Sequence, residues 1–201
     1  MDEKARLRAA ILAERDRTPD REEKSAAIRR YLLALPEYGA AGVLGWFVGV
    51  KSEVETLPAI GAALAGRRQV VVPWVSPAGL RLFQLRSVEE LEPARFGLLE
   101  PAPQLRADAR RELSPAAVDF FVVPGVAFDR AGGRLGHGKA YYDRLLAGAR
   151  PDAIRTGICF SLQLVPKVPM SAHDVFMHQI VTERGVIRVS QDGHERPLPA
   201  Q

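Results

Sequence analysis

A chain of 201 residues with 47% hydrophobic and 26% charged residues has the balance of a packed globular protein, which excludes extended disorder and fibrous repeats. A net charge of +4 and a pI near 9.5 suit an anionic small substrate, a nucleotide or a nucleic acid, but acids are interspersed throughout and no aromatic basic stripe is present. No apolar run approaches the roughly 20 residues of a membrane span, MDEKARLRAA lacks an apolar signal core, and the lone Cys159 has no disulfide partner, so a cytoplasmic protein with no membrane or nucleic-acid partner is expected.

In chain order, Leu7, Ile11 and Leu12 recur at helical spacing among Lys and Arg, which predicts an amphipathic helix from Glu3 to about Arg17. Thr18, Pro19 and Asp20 are start signals for a second helix that runs to about Leu35, before Pro36. Ala41 to Val48 is a short apolar run bounded by glycines, the mark of a strand buried on both faces. A helix from Glu55 to Ala65 and strands at Gln69 to Trp74 and Leu80 to Leu85 follow. Four prolines and many charges between Val88 and Ala116 predict irregular connection with one helical turn.

Val118 to Val123 is again a buried-strand pattern, followed by a glycine-rich loop, a helix from Tyr141 to Ala149 and a strand from Ile154 to Phe160, in which Cys159 is a buried small hydrophobe. Short strands at Gln179 to Thr182 and Val186 to Val189 close the pattern. Alternating strands and helices predict an open, mostly parallel sheet covered by helices on both faces, a three-layer α/β/α, Rossmann-like fold. One domain over 1–190 and a polar tail over 191–201 are expected, and a ligand is expected beyond the carboxyl ends of the strands.

The chemistry concentrates between Gly132 and Asp143, after a strand and before a helix. Glycines let main-chain N–H groups approach phosphate oxygens, the helix start adds positive potential, and Arg134 and Lys139 neutralise charge. The segment lacks the Gly-Lys-Ser/Thr of a P-loop and a strict G-x-G-x-x-G, so on spacing alone a glycine-rich surface turn is an equal reading. His137, His173 and His178 lack the His-Glu-x-x-His order, so no zinc site is expected.

The segment from Pro124 to Arg144, taken in order with Lys4-Ala5-Arg6-Leu7-Arg8, Glu53-Val54-Glu55-Thr56, Phe96-Gly97-Leu98-Leu99-Glu100-Pro101, His173-Asp174-Val175 and Val181-Thr182-Glu183, resembles the 5-formyltetrahydrofolate cyclo-ligase family nearly end to end. The resemblance implies an enzyme in which ATP phosphorylates the formyl oxygen of 5-formyltetrahydrofolate and N10 closes the ring to 5,10-methenyltetrahydrofolate, with ADP and phosphate released. By the same resemblance Lys4, Arg8, Arg134, Leu135, Gly136, His137, Gly138, Lys139, Ala140, Tyr141 and Tyr142 match ATP-binding positions, with Arg134, Lys139 and Tyr141 the candidate catalytic residues. Val50, Glu55 and the stretch His137 to Tyr141 match positions that line the reduced folate, and Asp143 and Asp174 match magnesium ligands.

These types suit in-line phosphoryl transfer, which asks for positioning and charge neutralisation, and hard carboxylates suit magnesium. By residue type alone, Lys4 and Arg8 form an exposed helix face, Asp143 and Asp174 a helix-start acid and a cap, Tyr141 and Tyr142 loop packing, and Trp46 and Phe47 core. Two features depart from the family. Ala140 stands where glycine is usual, at a cost on the order of 1 kcal/mol if that backbone has positive φ, and His178 stands where aspartate is common. They motivate a rival reading, a diverged ATP-dependent relative with another substrate. The basic N-terminal helix motivates a further one, a non-catalytic nucleotide- or RNA-binding module.

Overall fold

The computed structural model describes residues 2–94 and 97–189, so Phe96 and the tail expected over 191–201 lie outside the described residues. Helices are α1 (Glu3–Asp16), α2 (Arg21–Leu33), α3 (Pro36–Ala40), α4 (Leu57–Ala65) and α5 (Tyr141–Ala147). Among the described residues the main sheet has eight strands: β1 (Val43–Trp46), β2 (Gln69–Ser76), β3 (Gly79–Leu85), β6 (Glu112–Leu113), β7 (Phe120–Val123), β10 (Ile154–Ile158), β11 (Gln179–Thr182) and β12 (Gly185–Arg188). Their spatial order is β12-β11-β10-β7-β1-β2-β3-β6. The five neighbours β11, β10, β7, β1 and β2 run parallel, while β12 and β3 run antiparallel to theirs.

Alternation within each strand explains the layers. Leu44 and Trp46 of β1, Phe120 and Val122 of β7, and Val70 and Val72 of β2 meet Ile28 and Leu32 of α2 and Ala59, Ile60 and Ala63 of α4. The opposite residues, Phe121, Val123 and Val71, meet Leu145 and Leu146 of α5 and Cys159. Both faces are therefore covered, as the uninterrupted apolar runs require. Burial raises the pKa of the Cys159 thiol, which packs as a small hydrophobe.

Helix α1 covers neither sheet face. Ile11 packs on Val126, Ala127, Leu135 and Val168, around the two-stranded ribbon formed by β8 (Ala127–Phe128) and β9 (Arg134–Leu135). Asp129 ties this ribbon together: it is buried, and its carboxylate accepts from the N–H groups of Ala131 at 3.0 Å, Gly133 at 2.8 Å and Val168 at 2.7 Å. No described helix is long and apolar enough to cross a membrane.

Local starts and stops differ from expectation where the backbone found other solutions. Thr18 does not cap α2, because its hydroxyl donates back to the Glu14 carbonyl of α1 at 3.4 Å. Asp20, in the left-handed region at φ 54°, precedes α2 instead. Pro36 does not merely end a helix but opens α3, where its missing N–H costs nothing. The stretch expected to hold one helical turn contains 3-10 turns at Val88–Glu90, Pro103–Leu105, Ala109–Arg111 and Pro115–Ala117, and a hairpin of β4 (Leu91–Pro93) with β5 (Leu99–Pro101).

His178 continues the β10 ladder. Its main-chain N–H donates to the Arg155 carbonyl at 2.8 Å, its Nδ1 accepts from the Arg155 N–H at 3.1 Å, and its Nε2 meets the Arg155 guanidinium at 2.6 Å. Burial first, and Arg155 second, lower the His178 pKa. The folded protein resists protonation while the unfolded chain binds a proton near pH 6.5, so the stabilisation is present above that value and is lost as the pH falls through it. Melting midpoints measured from about pH 8 to about pH 5 should decline toward acid, and decline less in His178→Gln. An equal decline in both proteins would contradict this.

Candidate active site

A cleft of about 840 Å³ opens where β1 and β7 end, at Phe47 and Val48 and at Pro124 and Gly125, and beside Pro73 and Val75 in the second half of β2. This is the carboxyl end of the parallel strands, where a sheet of this type leaves room for a ligand. Of the residues expected from the sequence, Lys4, Arg8, Val50, the run Arg134 to Tyr142, Asp143 and Asp174 all border it.

One wall is the loop from β9 to α5. Among the described residues, the main-chain N–H groups of Gly136, His137 and Gly138 donate to no other part of the chain. Gly138 has φ +93° and faces the Arg8 guanidinium, with 3.6 Å between that group and the place a Cβ would take. Arg8 Nε donates to the Gly136 carbonyl at 2.8 Å, which ties α1 to the loop. Lys139 Nζ lies 5.8 Å from the Tyr141 ring centre, and Arg144 covers the same ring at 5.3 Å. Tyr142 is packed among apolar residues of both core layers, and burial raises its pKa.

Ala140 has φ 49° and ψ 26°, so the alanine does sit in the left-handed region, immediately before α5. Glycine takes that conformation without the Cβ conflict. Ala140→Gly should therefore stabilise the fold by about 0.5 to 1 kcal/mol. A melting midpoint at or below that of the parent would contradict the assignment of strain.

The two aspartates are each matched to a cation. Arg134, whose side chain is 3% exposed, donates through Nη2 to Asp143 Oδ1 at 2.7 Å, and its Nε is buried with no partner. Asp143 Oδ1 also accepts from the Val175 N–H at 3.3 Å, which draws the following segment against it. Lys4 Nζ lies 3.1 Å from Asp174 Oδ2, which also accepts from the Ser171 N–H at 2.7 Å. Burial favours the neutral form of Asp174, but the Ser171 and Lys4 hydrogen bonds outweigh it and hold the carboxyl below the ordinary value.

Among the described residues no three His, Cys, Asp or Glu side chains gather into a metal-holding group. Two carboxylates fit a hard divalent ion that keeps waters and shares phosphate oxygens, and do not fit a closed four-ligand site. The main-chain N–H groups of Gly136, His137 and Gly138, which donate nowhere among the described residues, suit anionic oxygens in the same place.

The opposite wall leaves one expected residue outside the cleft. Glu55 does not border the cleft: its carboxylate is 49% exposed, 3.8 Å from Arg29, and its N–H is held by Ser25 at 3.1 Å. The acid that borders the cleft is Glu53, 15% exposed, whose Oε2 accepts from the Val50 N–H at 3.2 Å. His137 Nε2 approaches Glu53 Oε1 to 3.9 Å across the opening. Phe47 borders the cleft, whereas Trp46 is core, packed edge-on against Tyr38. Sequence reasoning also missed Arg15, a buried residue in the last turn of α1 that reaches the same wall.

The structure is thus an open α/β sheet with a cleft at its strand ends, a glycine-rich loop on one wall and an acid on the other. The sequence profile of the 5-formyltetrahydrofolate cyclo-ligase family matches residues 1–183. The chain is 31% identical to the 5-formyltetrahydrofolate cyclo-ligase of Mycolicibacterium smegmatis, over 92% of this chain and 96% of that protein. It is 30% identical to the protein of the same name from Escherichia coli (strain K12), over 82% of this chain and 91% of that protein. The NMR structure of Aquifex aeolicus 5,10-methenyltetrahydrofolate synthetase matches with a TM-score of 0.80 at 31% identity, over 98% of this chain and 96% of that one. The chain belongs to the 5-formyltetrahydrofolate cyclo-ligase family.

Proposed function

We propose that this chain converts 5-formyltetrahydrofolate to 5,10-methenyltetrahydrofolate at the expense of ATP. The observation that carries the reading is the cleft in which the Arg134 to Tyr142 loop faces a wall formed by Phe47, Val50 and Glu53. A triphosphate lies on the first wall and a reduced folate on the second, which brings the terminal phosphate to the formyl oxygen.

The loop N–H groups, Arg134 and Lys139 orient the triphosphate and offset the charge that develops on the transferring group, and Lys4 and Arg8 close over it from α1. Asp143 and Asp174 would hold a magnesium ion, which when bound neutralises phosphoryl oxygens. Glu53, in place of Glu55, accepts from the N–H edge of the pterin, and Tyr141 closes the side of the cleft nearest the loop. Phosphorylation makes the formyl oxygen a leaving group, N10 forms the new C–N bond, and phosphate departs with the C–O electron pair as N10 loses its proton. No side-chain nucleophile is required.

Incubation of the purified protein with 5-formyltetrahydrofolate, ATP and magnesium should give one methenyl product per ADP, followed by absorbance. ADP release without methenyl product would favour a relative with another substrate, and the absence of both would overturn the reading.

A further inference from the structure

Among the described residues three arginines are at least nine-tenths buried, and two of them engage a terminal nitrogen with a carboxylate of the chain. Arg111 donates to the Gln84 carbonyl, pairs with Glu90 and covers the Phe83 ring. Arg134 pairs with Asp143. Arg15 is the exception. It is 5% exposed, and only its Nε is engaged, donating to Ser52 Oγ at 3.1 Å. Ser52 in turn donates to Asp16, so the serine oxygen is oriented to accept.

Neither terminal nitrogen of Arg15 has an acceptor in the described chain, and neither is sealed from the cleft. The residue borders both the main cleft and a recess behind it shared with Phe47, Glu53, Gly125 and Gln163. Burial lowers the guanidinium pKa, and Glu53 is the largest influence opposing that shift, yet the two do not close an ion pair with each other. A buried charge with unused donors is costly unless something completes it. Ser52 fixes the direction of the fork, which a merely space-filling residue does not need.

We infer that Arg15 is a specificity-determining residue that donates to the ring carbonyl oxygen of the substrate's 2-amino-4-oxo heterocycle, beside the N–H edge taken by Glu53. The inference rests on the folate reading of the cleft. A fork of donors next to a carboxylate acceptor is complementary to a lactam edge, in which a carbonyl oxygen stands beside ring N–H and amino donors. An analogue with an amino group in place of that oxygen points donors at donors, and a site built to hydrogen-bond one oxygen rejects it strongly.

The test is equilibrium binding, without ATP, of 5-formyltetrahydrofolate and of its 4-amino-4-deoxy analogue. The wild type should prefer the oxo compound by on the order of 100-fold. Arg15→Met should weaken oxo binding by roughly that factor and bring the preference near unity, while ATP affinity measured separately stays unchanged. Arg15→Lys, which keeps one charged donor, should retain a reduced preference, and Ser52→Ala, which frees the fork but keeps its charge, should also reduce it. The lysine and alanine variants decide the matter if the methionine variant fails to fold. A preference unchanged in the folded variants overturns the role of Arg15 while leaving the folate reading in place. A wild type that binds neither compound overturns both.

Discussion

Asp143→Ala is expected to lower kcat by roughly 10³-fold, because under the proposed assignment one side chain both offers an oxygen to magnesium and keeps the Arg134 guanidinium in place. The two contributions separate in Asp143→Asn. The amide still accepts the Arg134 hydrogen bond, so the fold should hold, but it is a poor ligand for a hard cation, so turnover should remain low. In Asp143→Ala the Arg134 side chain, 3% exposed, loses its counter-charge, and stability should fall by about 3 kcal/mol. An asparagine variant that turns over at the parental rate would show Asp143 to be only a brace for Arg134. Steady-state rates and urea denaturation on the same preparations settle the comparison.

The second large effect lies away from the chemistry. Asp129 is 4% exposed and accepts from three main-chain N–H groups, two in the β8–β9 turn and one at Val168. Asp129→Ala removes both acceptor oxygens, and with them all three hydrogen bonds, and fills none of the space. The cost should be roughly 3 kcal/mol, a drop in melting midpoint on the order of 6 to 12 °C for a chain of this size. Asp129→Asn should fall between, because its NH2 group meets at least one of the same N–H donors head-on. The β8–β9 ribbon leads into the Gly136 loop, so activity should drop with stability. A melting midpoint unchanged in Asp129→Ala would contradict this account.

The parts of the fold legible in the sequence were those with one solution. Runs such as Phe120 to Val123 are apolar without interruption, and only a strand covered on both faces satisfies them. The β4–β5 and β8–β9 pairs were not legible, because two- or three-residue strands carry no period and are held by contacts remote in the chain, as Asp129 with Val168 shows. The site was legible as a segment but not residue by residue. Glu53 and Glu55 are two apart, so alternation assigns them to one side if the segment is extended.

It is not extended. Gly49 passes so close to the Val54 carbonyl that a Cβ would stand 2.0 Å from its oxygen, and Lys51 takes φ 55°, so the chain turns tightly and sends Glu53 to the cleft and Glu55 outward. Gly49 was the available signal, because nothing in the residue type of Lys51 announces its left-handed backbone. Lys4 and Arg8 could be placed only by resemblance, since what they touch lies 170 and 128 residues further on.

That separation bears on how the protein is made. Helix α1 is synthesised before the chain it braces, and its partners at Gly136 and Asp174 follow 128 and 170 residues behind the side chains that reach them. A nascent or truncated product ending between Gly136 and Asp174 can form the Arg8 tie but not the Lys4 one. The clasp is thus completed only once Asp174 has been made and the first helix meets it.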